Sequence, residues 1–600
     1  MASTGLAPTE REQASLGDVP DTDKIAATIT RRRLVFLALN AATMATLLSG
    51  MVWMLSHGGI IAVEWAMLAA FTLTLPWLSI GFWNAIIGLI LDLRHGRDAP
   101  GHVTPALLRV SFREPIVKHT AIVMPLRNEN PEESIARFRA VQRGLAHTPH
   151  AALFDFHVLS DTSDPAVAAA EEALVATWQA ETTSARIFYR RRTDNTGFKS
   201  GNIAEFVHRC RGRYDFFLPL DADSVMGPKI ILRMVRVMQA SPRIGMLQSL
   251  VTGLPSETFF TRAFQFGMRH GMRSFTLGSA WWQADCGPNW GHNVLIRMEP
   301  FREHCMLPEL PGNGPLSGHI LSHDQVEAAL MRRAGFEVRV IPEESDSHEI
   351  NPPSIVDFIR RELRWCNGNM QYLRLLGLPG LPPATRIQLL LAILMYVSAP
   401  AWMVFVLMSA ALAGQPGQFE GVTVQAGLTF FAVLMAMNLA PKLMGLAQIL
   451  ASDRRSARYG GRDRVILGGI AEILFGILIA PVVAFALTLF VVGLLLGRRI
   501  GWDAQQRSRE RLLWSEAARA LWPQTLTGLV LAGWLAYVAP WALAFGAPIL
   551  LSFVLAIPVA VMSTHPAGGR WSSAIGLFDI PEDRHPPAFG PVPITAPDPA

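Results

Sequence analysis

The stretch Tyr214–Met226, YDFFLPLDADSVM, decides how the chain is read. Phe216 to Leu220 is a short apolar, aromatic-rich run, the pattern of a buried strand. Two carboxylates follow at once, Asp221 and Asp223, with one small residue between them. Side chains two apart in extended chain share a face, so both acids can address one point beyond the strand end. Two hard oxygen ligands there suit Mg²⁺ or Mn²⁺ carrying a substrate diphosphate. A solvated turn after a strand has the same local sequence, so the motif draws its weight from the rest of the chain.

Working outward, the 600 residues exceed one ordinary domain. Half are hydrophobic and only 17% are charged, a balance that indicates a polytopic membrane protein with a soluble part. The formal charge of +5 comes with arginine clusters beside apolar spans. These read as topology signals facing anionic lipid. No aromatic-interleaved basic stripe of the kind that binds nucleic acid appears, which argues against nucleic acid as a partner. Cys210, Cys286, Cys305 and Cys366 lack metal-site spacing and suit a reducing cytoplasm.

Residues 1–30 are polar and read as a disordered cytoplasmic N-terminus. Segment 31–97 carries two apolar spans, about 34–55 and 60–91, with Arg31–Arg33 before the first and Arg94 and Arg97 after the second. Both flanks are positive and therefore inside. Residues 98–385 form one large soluble domain. Apolar spans resume over 386–563, about six of them, with an Arg- and Trp-rich interfacial loop at 498–525. The run 465–497 is too long for one span, since 33 residues of helix reach about 50 Å against a core of about 30 Å. A hairpin bent near Pro481 accounts for its positive ends, and eight spans result. The Pro-rich tail, 564–600, returns inside and reads as disordered.

Within the soluble domain one construction recurs three times: strand, acidic turn, helix. Thr120–Pro125 leads to Asn128, Glu129, Asn130 and Pro131. Phe154–Leu159 leads to Asp161, Asp164 and Pro165, and Phe216–Leu220 leads to the Asp pair and Pro228. Asn130 and Asp164 sit where helix caps belong, before a proline in the first turn. Glu129, Asp161, Asp221 and Asp223 lie nearer the strand ends. Open α/β sheets bind ligands beyond those ends, so these acids converge on one cleft.

Four further stretches join them. The loop Thr193–Asn202 offers Lys199 beside backbone amides, as a diphosphate neighbour or a plain turn. Trp281–Asn293 (WWQADCGPNWGHN) is dense in aromatics and amides, the chemistry of sugar rings or of a buried aromatic cluster. Asp324 opens a helix, where it is either a functional acid or a first-turn charge. Ser354–Asp357 is a capping box, and on the helix it opens Arg361, Arg364 and Trp365 share a face. Lipid headgroups are the competing partner for those arginines.

In this order the motifs resemble those of the processive family-2 glycosyltransferases, the group of cellulose and hyaluronan synthases. The matching residues are Asn128-Glu129, Asp161, Gly197-Phe198-Lys199, Asp221-Ala222-Asp223, Cys286-Gly287, His323-Asp324 and Arg361-Glu362-Leu363-Arg364-Trp365. Two depart from the family's general pattern: His323 stands where Glu is usual, and Arg361 where Gln is usual. Those departures, with the loop Gly287-Pro288-Asn289-Trp290-Gly291-His292-Asn293, look like the subgroup that makes the glucose backbone of osmoregulated periplasmic glucans.

The resemblance implies a polytopic α-helical protein of the bacterial inner membrane with a cytoplasmic α/β domain of GT-A type and both termini cytoplasmic. It implies an inverting, processive transfer from UDP-glucose to a growing β-glucan, β-1,2-linked, coupled to export. Asn128, Glu129, Asp161, Lys199, Asp221, Arg361 and Arg364 would bind the donor, with uridine on Asp161 and Glu129 and diphosphate on Lys199 and Arg364. Asp221 and Asp223 would hold Mg²⁺ or Mn²⁺. Cys286, Gly287, Trp290 and Trp365 would bind the acceptor, and Asp324 would be the catalytic base. Membrane lipid, an acyl carrier protein and periplasmic glucan-processing proteins are the further partners implied. Two other readings use the same residues: a non-processive transferase acting on a lipid, and a non-catalytic exporter that senses UDP-sugars.

Overall fold

The computed structural model describes residues 22–56, 60–111, 113–183, 185–415, 423–498 and 511–587. Its centre is a mixed sheet built from β1 (Thr120–Leu126), β2 (Phe154–Ser160), β3 (Ile187–Arg191), β4 (Phe216–Pro219), β6 (Ile244–Ser249), β8 (Val294–Arg297) and β9 (Glu337–Ile341). A three-stranded sheet is added by β5 (Ser224–Met226), β7 (Thr252–Gly253) and β10 (Ser347–Glu349). The large sheet runs β3-β2-β1-β4-β8-β6-β9 and the small one β5-β10-β7. Neighbours from β3 to β4 are parallel, and β8 is antiparallel to both β4 and β6.

The three strands read from the apolar runs are β1, β2 and β4, and all are buried on both faces. That is why their sequences are continuous apolar runs rather than alternating ones. Both expected caps are present. Asn130 accepts from Glu133 N at 3.1 Å, and Asp164 accepts from Ala166 N at 2.8 Å, each with proline in the first turn. The strand β3 was not anticipated, because IFYRR ends in two arginines at a sheet edge.

Among the described residues, five helices are long and apolar enough to cross a membrane: Ile25–Leu55, Ala62–Val103, Pro383–Leu412, Val424–Leu450 and Arg462–Leu495. A bent pair, Ala542–Val554 and Ala556–Ser563 at 57°, makes at most a sixth. Among the described residues, length and composition thus support five or six of the expected eight. The hairpin near Pro481 does not form: Arg462–Leu495 is one helix with Pro481 inside it. Phe475 meets Phe259 and Phe260. Val482 packs with Ile355 and Ile359, and Leu487 and Leu494 join the core that holds Leu389 and Tyr396. Contact along its length with helices Phe259–Gln283, Ile355–Met370 and Pro383–Leu412 supports one uninterrupted helix, which the length rule alone does not consider.

Three further boundaries move. The first helix starts at Thr22, inside the segment expected to be disordered; residues 1–21 lie outside the described residues. The interfacial loop at 498–525 gives way to a helix from Trp514, opened by Glu516 accepting from Leu513 N; residues 499–510 lie outside the described ones. The tail is ordered as far as 587, and 588–600 lie outside. Its Leu577, Phe578 and Ile580 are buried. Its acids meet two buried arginines, Arg262 with Asp579 at 3.0 Å and Asp583 at 3.3 Å, and Arg269 with Glu582 at 2.8 Å. Proline content marked this stretch as tail, but its apolar and acidic residues complete the surface of another helix.

That helix, Phe259–Gln283, fixes the domain to the apolar helices. A Cβ at Gly88 or at Gly278 would collide with the backbone of Ser274 or Asn84, and one at Gly445 with that of His270. The helices therefore touch backbone to backbone at small residues. Asp92 closes the same junction, accepting from Arg273 at 3.0 Å and Arg455 at 2.5 Å.

Candidate active site

The carboxyl ends of β1, β2 and β4 open on one cleft, and each supplies a polar loop. After β1, Asn128 adopts φ +57°. Its Oδ1 accepts from Ser163 N at 3.0 Å and Asp164 N at 3.1 Å, which ties the β1 loop to the β2 loop. Glu129 accepts from Arg127 N beside it. After β2, Asp161 is buried and clamped by Arg192, at 2.7 and 2.6 Å, with Asn202 Nδ2 at 2.8 Å. The same guanidinium donates to the carbonyls of Thr196 and Phe198, so this ion pair shapes the Thr193–Asn202 loop.

The loop turns through Gly197 at φ +75° and Phe198 at φ +53° into the Phe198–Arg209 helix. Lys199, in the first turn, reaches across the cleft to Asp221 and donates to Gly291 O at 3.0 Å. Asp221 and Asp223 are part-exposed at the mouth of β4, with Ala222 buried between them.

Trp281–Asn293 divides in two. Trp290, Gly291 and His292 enter the cleft and lead directly into β8. Trp290 N donates to Gln248 Oε1 at 2.9 Å. Gly291, at φ +78°, lies so near Asp324 that a Cβ on it would stand 3.3 Å from the Asp324 Cβ. Asn289 supports the turn, donating to Asp324 O at 3.0 Å and accepting from Gly291 N at 2.9 Å. Cys286 and Gly287 are not brought to the cleft. Cys286 is buried under Thr385 Oγ1, and Gln388 donates to its carbonyl. Gly287 packs on the backbone of Val338 and Arg339 in β9. Only Pro288 and Asn289 separate the Cys-Gly pair from Trp290, yet they carry the chain from the β9 edge into the cleft.

Asp324 occupies the first turn of the helix His323–Arg333 and is part-exposed. Its neighbour His323 is fixed by Glu327, 2.9 Å from Nδ1. Burial works against charge on that imidazole, but Glu327 outweighs it and raises the His323 pKa. The helix Ile355–Met370, capped by Ser354 accepting from Asp357 N at 3.2 Å, closes the cleft. Its Gly368 presses on Ser322, just before Asp324. Trp365 is 46% exposed, and Arg361 stacks on it with the guanidinium 4.6 Å from the ring centre. Arg364 is part-exposed on the same helix.

Two residues that the sequence reading passed over complete the wall. Glu349 pairs across the small sheet with Ser224, and Ile350 N donates to Asp223 O at 3.2 Å. Its carboxylate meets His292 Nε2 at 3.5 Å, while Ser224 Oγ lies 3.1 Å from His292 Nδ1. Burial pushes the Glu349 pKa up; His292 and Arg361 oppose the rise, and Asp223 and Asp221 add to it. Ser-His-Glu follows no motif, and only the strand pairing brings it here.

The donor set fits a divalent cation. Magnesium and manganese use one or two carboxylates and take their remaining ligands from phosphate and water. Among the described residues no group of three His, Cys, Asp or Glu side chains forms a metal cage. Asp221 with Asp223 offers two carboxylates of that kind, and Lys199 supplies positive charge beside Asp221.

A cleft with an acid pair, a lysine facing it and a carboxylate one loop away defines a glycosyltransferase domain of GT-A-like fold, joined to helices apolar enough to span a membrane. Glycosyl transferase family 2 matches residues 121–305, and Glycosyl transferase family group 2 matches 216–415. The chain is 36% identical to a glucans biosynthesis glucosyltransferase H of Ralstonia nicotianae, over 98% of its own length and 69% of the relative's. Proteins of that name from Pseudomonas putida and Pseudomonas aeruginosa are 38% and 37% identical, over 87% and 88% of this chain and 62% of theirs. The chain thus belongs to the glucans biosynthesis glucosyltransferase H family and spans about two thirds of those relatives' length. A solved mannosyltransferase of Pyrobaculum calidifontis, in complex with GDP-Man and Mn²⁺, is 14% identical with a TM-score of 0.36, over 61% of this chain and 95% of its own.

Proposed function

We propose that the chain is a processive, inverting glucosyltransferase that polymerises glucose from UDP-glucose into the β-glucan backbone of osmoregulated periplasmic glucans. The observation that carries this reading is a continuous polar wall. Asp221 meets Lys199, Lys199 meets Gly291, and Gly291 lies against Asp324. Donor diphosphate at the Asp pair thus sits one loop from a carboxylate.

Glu129 faces the uridine, with Asp161 shaping the adjoining loop through Arg192, and Lys199 with Arg364 faces the diphosphate. Mg²⁺ or Mn²⁺ on Asp221 and Asp223 would neutralise the charge that develops on departing UDP. Asp324 takes the proton from the attacking hydroxyl of the acceptor. That hydroxyl attacks the anomeric carbon from the face opposite UDP, so an α-linked donor gives a β-glucoside. Trp365 stacks on the acceptor sugar. The domain and both termini lie in the cytoplasm, where the donor is made, and the inner-membrane helices pass the chain outward. The β-1,2 linkage, an acyl carrier protein and periplasmic glucan-processing proteins belong to the same reading, as what the family resemblance implies.

Incubating the purified chain with UDP-glucose and Mg²⁺, then sizing the product, tests the reading. A long β-glucan is expected. A single glucose on lipid would favour the lipid transferase, and UDP-glucose binding without turnover the sensor.

A further inference from the structure

Within that reading, we infer that Glu349, held by His292, recognises the hydroxyl groups of the donor's glucosyl unit and sets sugar selectivity.

Strand β10 lays Glu349 against Ser224, the residue that follows the Asp pair. Ile350 N, next in the chain, donates to Asp223 O at 3.2 Å, so the strand holds Glu349 beside the acid pair. Glu349 therefore stands next to the acid pair and beside His292, a residue of the loop whose Gly291 lies against Asp324. A hexose joined to a diphosphate at the acid pair passes this carboxylate on its way toward Asp324.

The side chain is equipped for the task. It is 21% exposed, neither fully enclosed nor free in solvent. His292 Nε2 at 3.5 Å is too far for a direct hydrogen bond of ordinary length, so the carboxylate oxygens keep acceptor capacity. A carboxylate can accept from two vicinal hydroxyls at once, and such charge-assisted bonds exceed neutral ones in strength. His292 is itself fixed, with Ser224 Oγ 3.1 Å from Nδ1 and its carbonyl accepting from Gln248 Nε2 at 3.1 Å. Ser224 thus orients the imidazole, and the imidazole stands 3.5 Å from the Glu349 carboxylate. Glu349 is then a binding residue, and His292 a positioning residue.

The test compares affinities of the full chain, with Mn²⁺, for UDP, UDP-glucose and UDP-galactose. Glu349→Gln is expected to keep UDP affinity within about twofold. It should lose about 10- to 100-fold for UDP-glucose, the size of a hydrogen bond to a charged group, and its preference over UDP-galactose should collapse. His292→Asn, which keeps a donor but shifts it, should give a smaller loss of the same selective kind. Unchanged UDP affinity serves as the control for folding. Wild-type discrimination in Glu349→Gln would overturn the assignment. Equal loss of UDP and UDP-glucose would also overturn it, by placing Glu349 with the metal and diphosphate. Absence of nucleotide binding by the wild type would instead remove the proposed function beneath it.

Discussion

Asp161 and Asp221 end the two strands that flank β1, yet their surroundings differ. The Asp161 side chain is 4% exposed and gives both oxygens to Arg192; the Asp221 side chain is 29% exposed and faces Lys199 across open cleft. A buried carboxylate must be paired, because desolvation of a lone charge is costly. A half-open one can exchange its partner for a ligand. Position at a strand end therefore marks a site, and burial separates the acid that shapes the site from the acid that works in it.

The sharpest way to break this contrast is to neutralise each working acid separately. Asp324→Asn should lower glucosyl transfer by roughly 10²–10⁴-fold, because a general base acts in the transition state. Donor affinity should stay near wild type. Asp223→Asn should lose metal-dependent donor binding as well. Titrations with labelled UDP-glucose beside a UDP-release assay read both quantities. Equal loss of donor binding in the two variants would move Asp324 into the metal site.

The next effect concerns stability. Arg192→Leu would leave the Asp161 carboxylate buried without its main partner, at a cost of about 3–5 kcal/mol. A fall in thermal midpoint of the purified chain should accompany disorder of the Thr193–Asn202 loop and weaker diphosphate binding through Lys199. Asp161→Asn with normal stability and only weaker uridine binding would instead class Asp161 with the working acids.

Trp365→Ala comes third. An exposed indole beside Arg361 gains from a stacked sugar ring and contributes little to the core. UDP affinity should survive, while polymer shortens or disappears on sizing gels. Full-length product at the normal rate would leave Trp365 as an interfacial anchor only.

The parts of the fold that could be read from sequence were those with local causes. Apolar runs gave β1, β2 and β4, and Asn130 and Asp164 announced their helices through capping and proline. Single positions such as Lys199 and Asp324 could be named because each follows a turn or opens a helix. Glu349 was out of reach, since its place depends on β10 pairing with β5, a contact more than a hundred residues apart. The continuity of Arg462–Leu495 likewise depends on distant partners, Phe259, Ile355 and Tyr396 among them. Residues 577–583 looked like tail because the arginines that order them, Arg262 and Arg269, belong to a helix three hundred positions earlier.

The smallest predicted effect is the most direct check on how the Trp281–Asn293 stretch divides. Cys286 is 1% exposed and packs under Thr385, on the far side of β9 from the acids. Serine is close in size and can still accept from the Thr385 hydroxyl, so Cys286→Ser should cost about 1 kcal/mol or less in stability. Transfer rate and acceptor dependence should match wild type within about twofold, well inside the tenfold that 1.4 kcal/mol represents. Trp290→Ala, four residues on, should weaken acceptor use, because its loop carries Gly291 against Asp324. Steady-state kinetics with varied acceptor oligosaccharide separates the two. Should Cys286→Ser raise the acceptor KM while Trp290→Ala leaves it unchanged, the division is reversed, and the cleft wall extends around β9 rather than ending at Gly291.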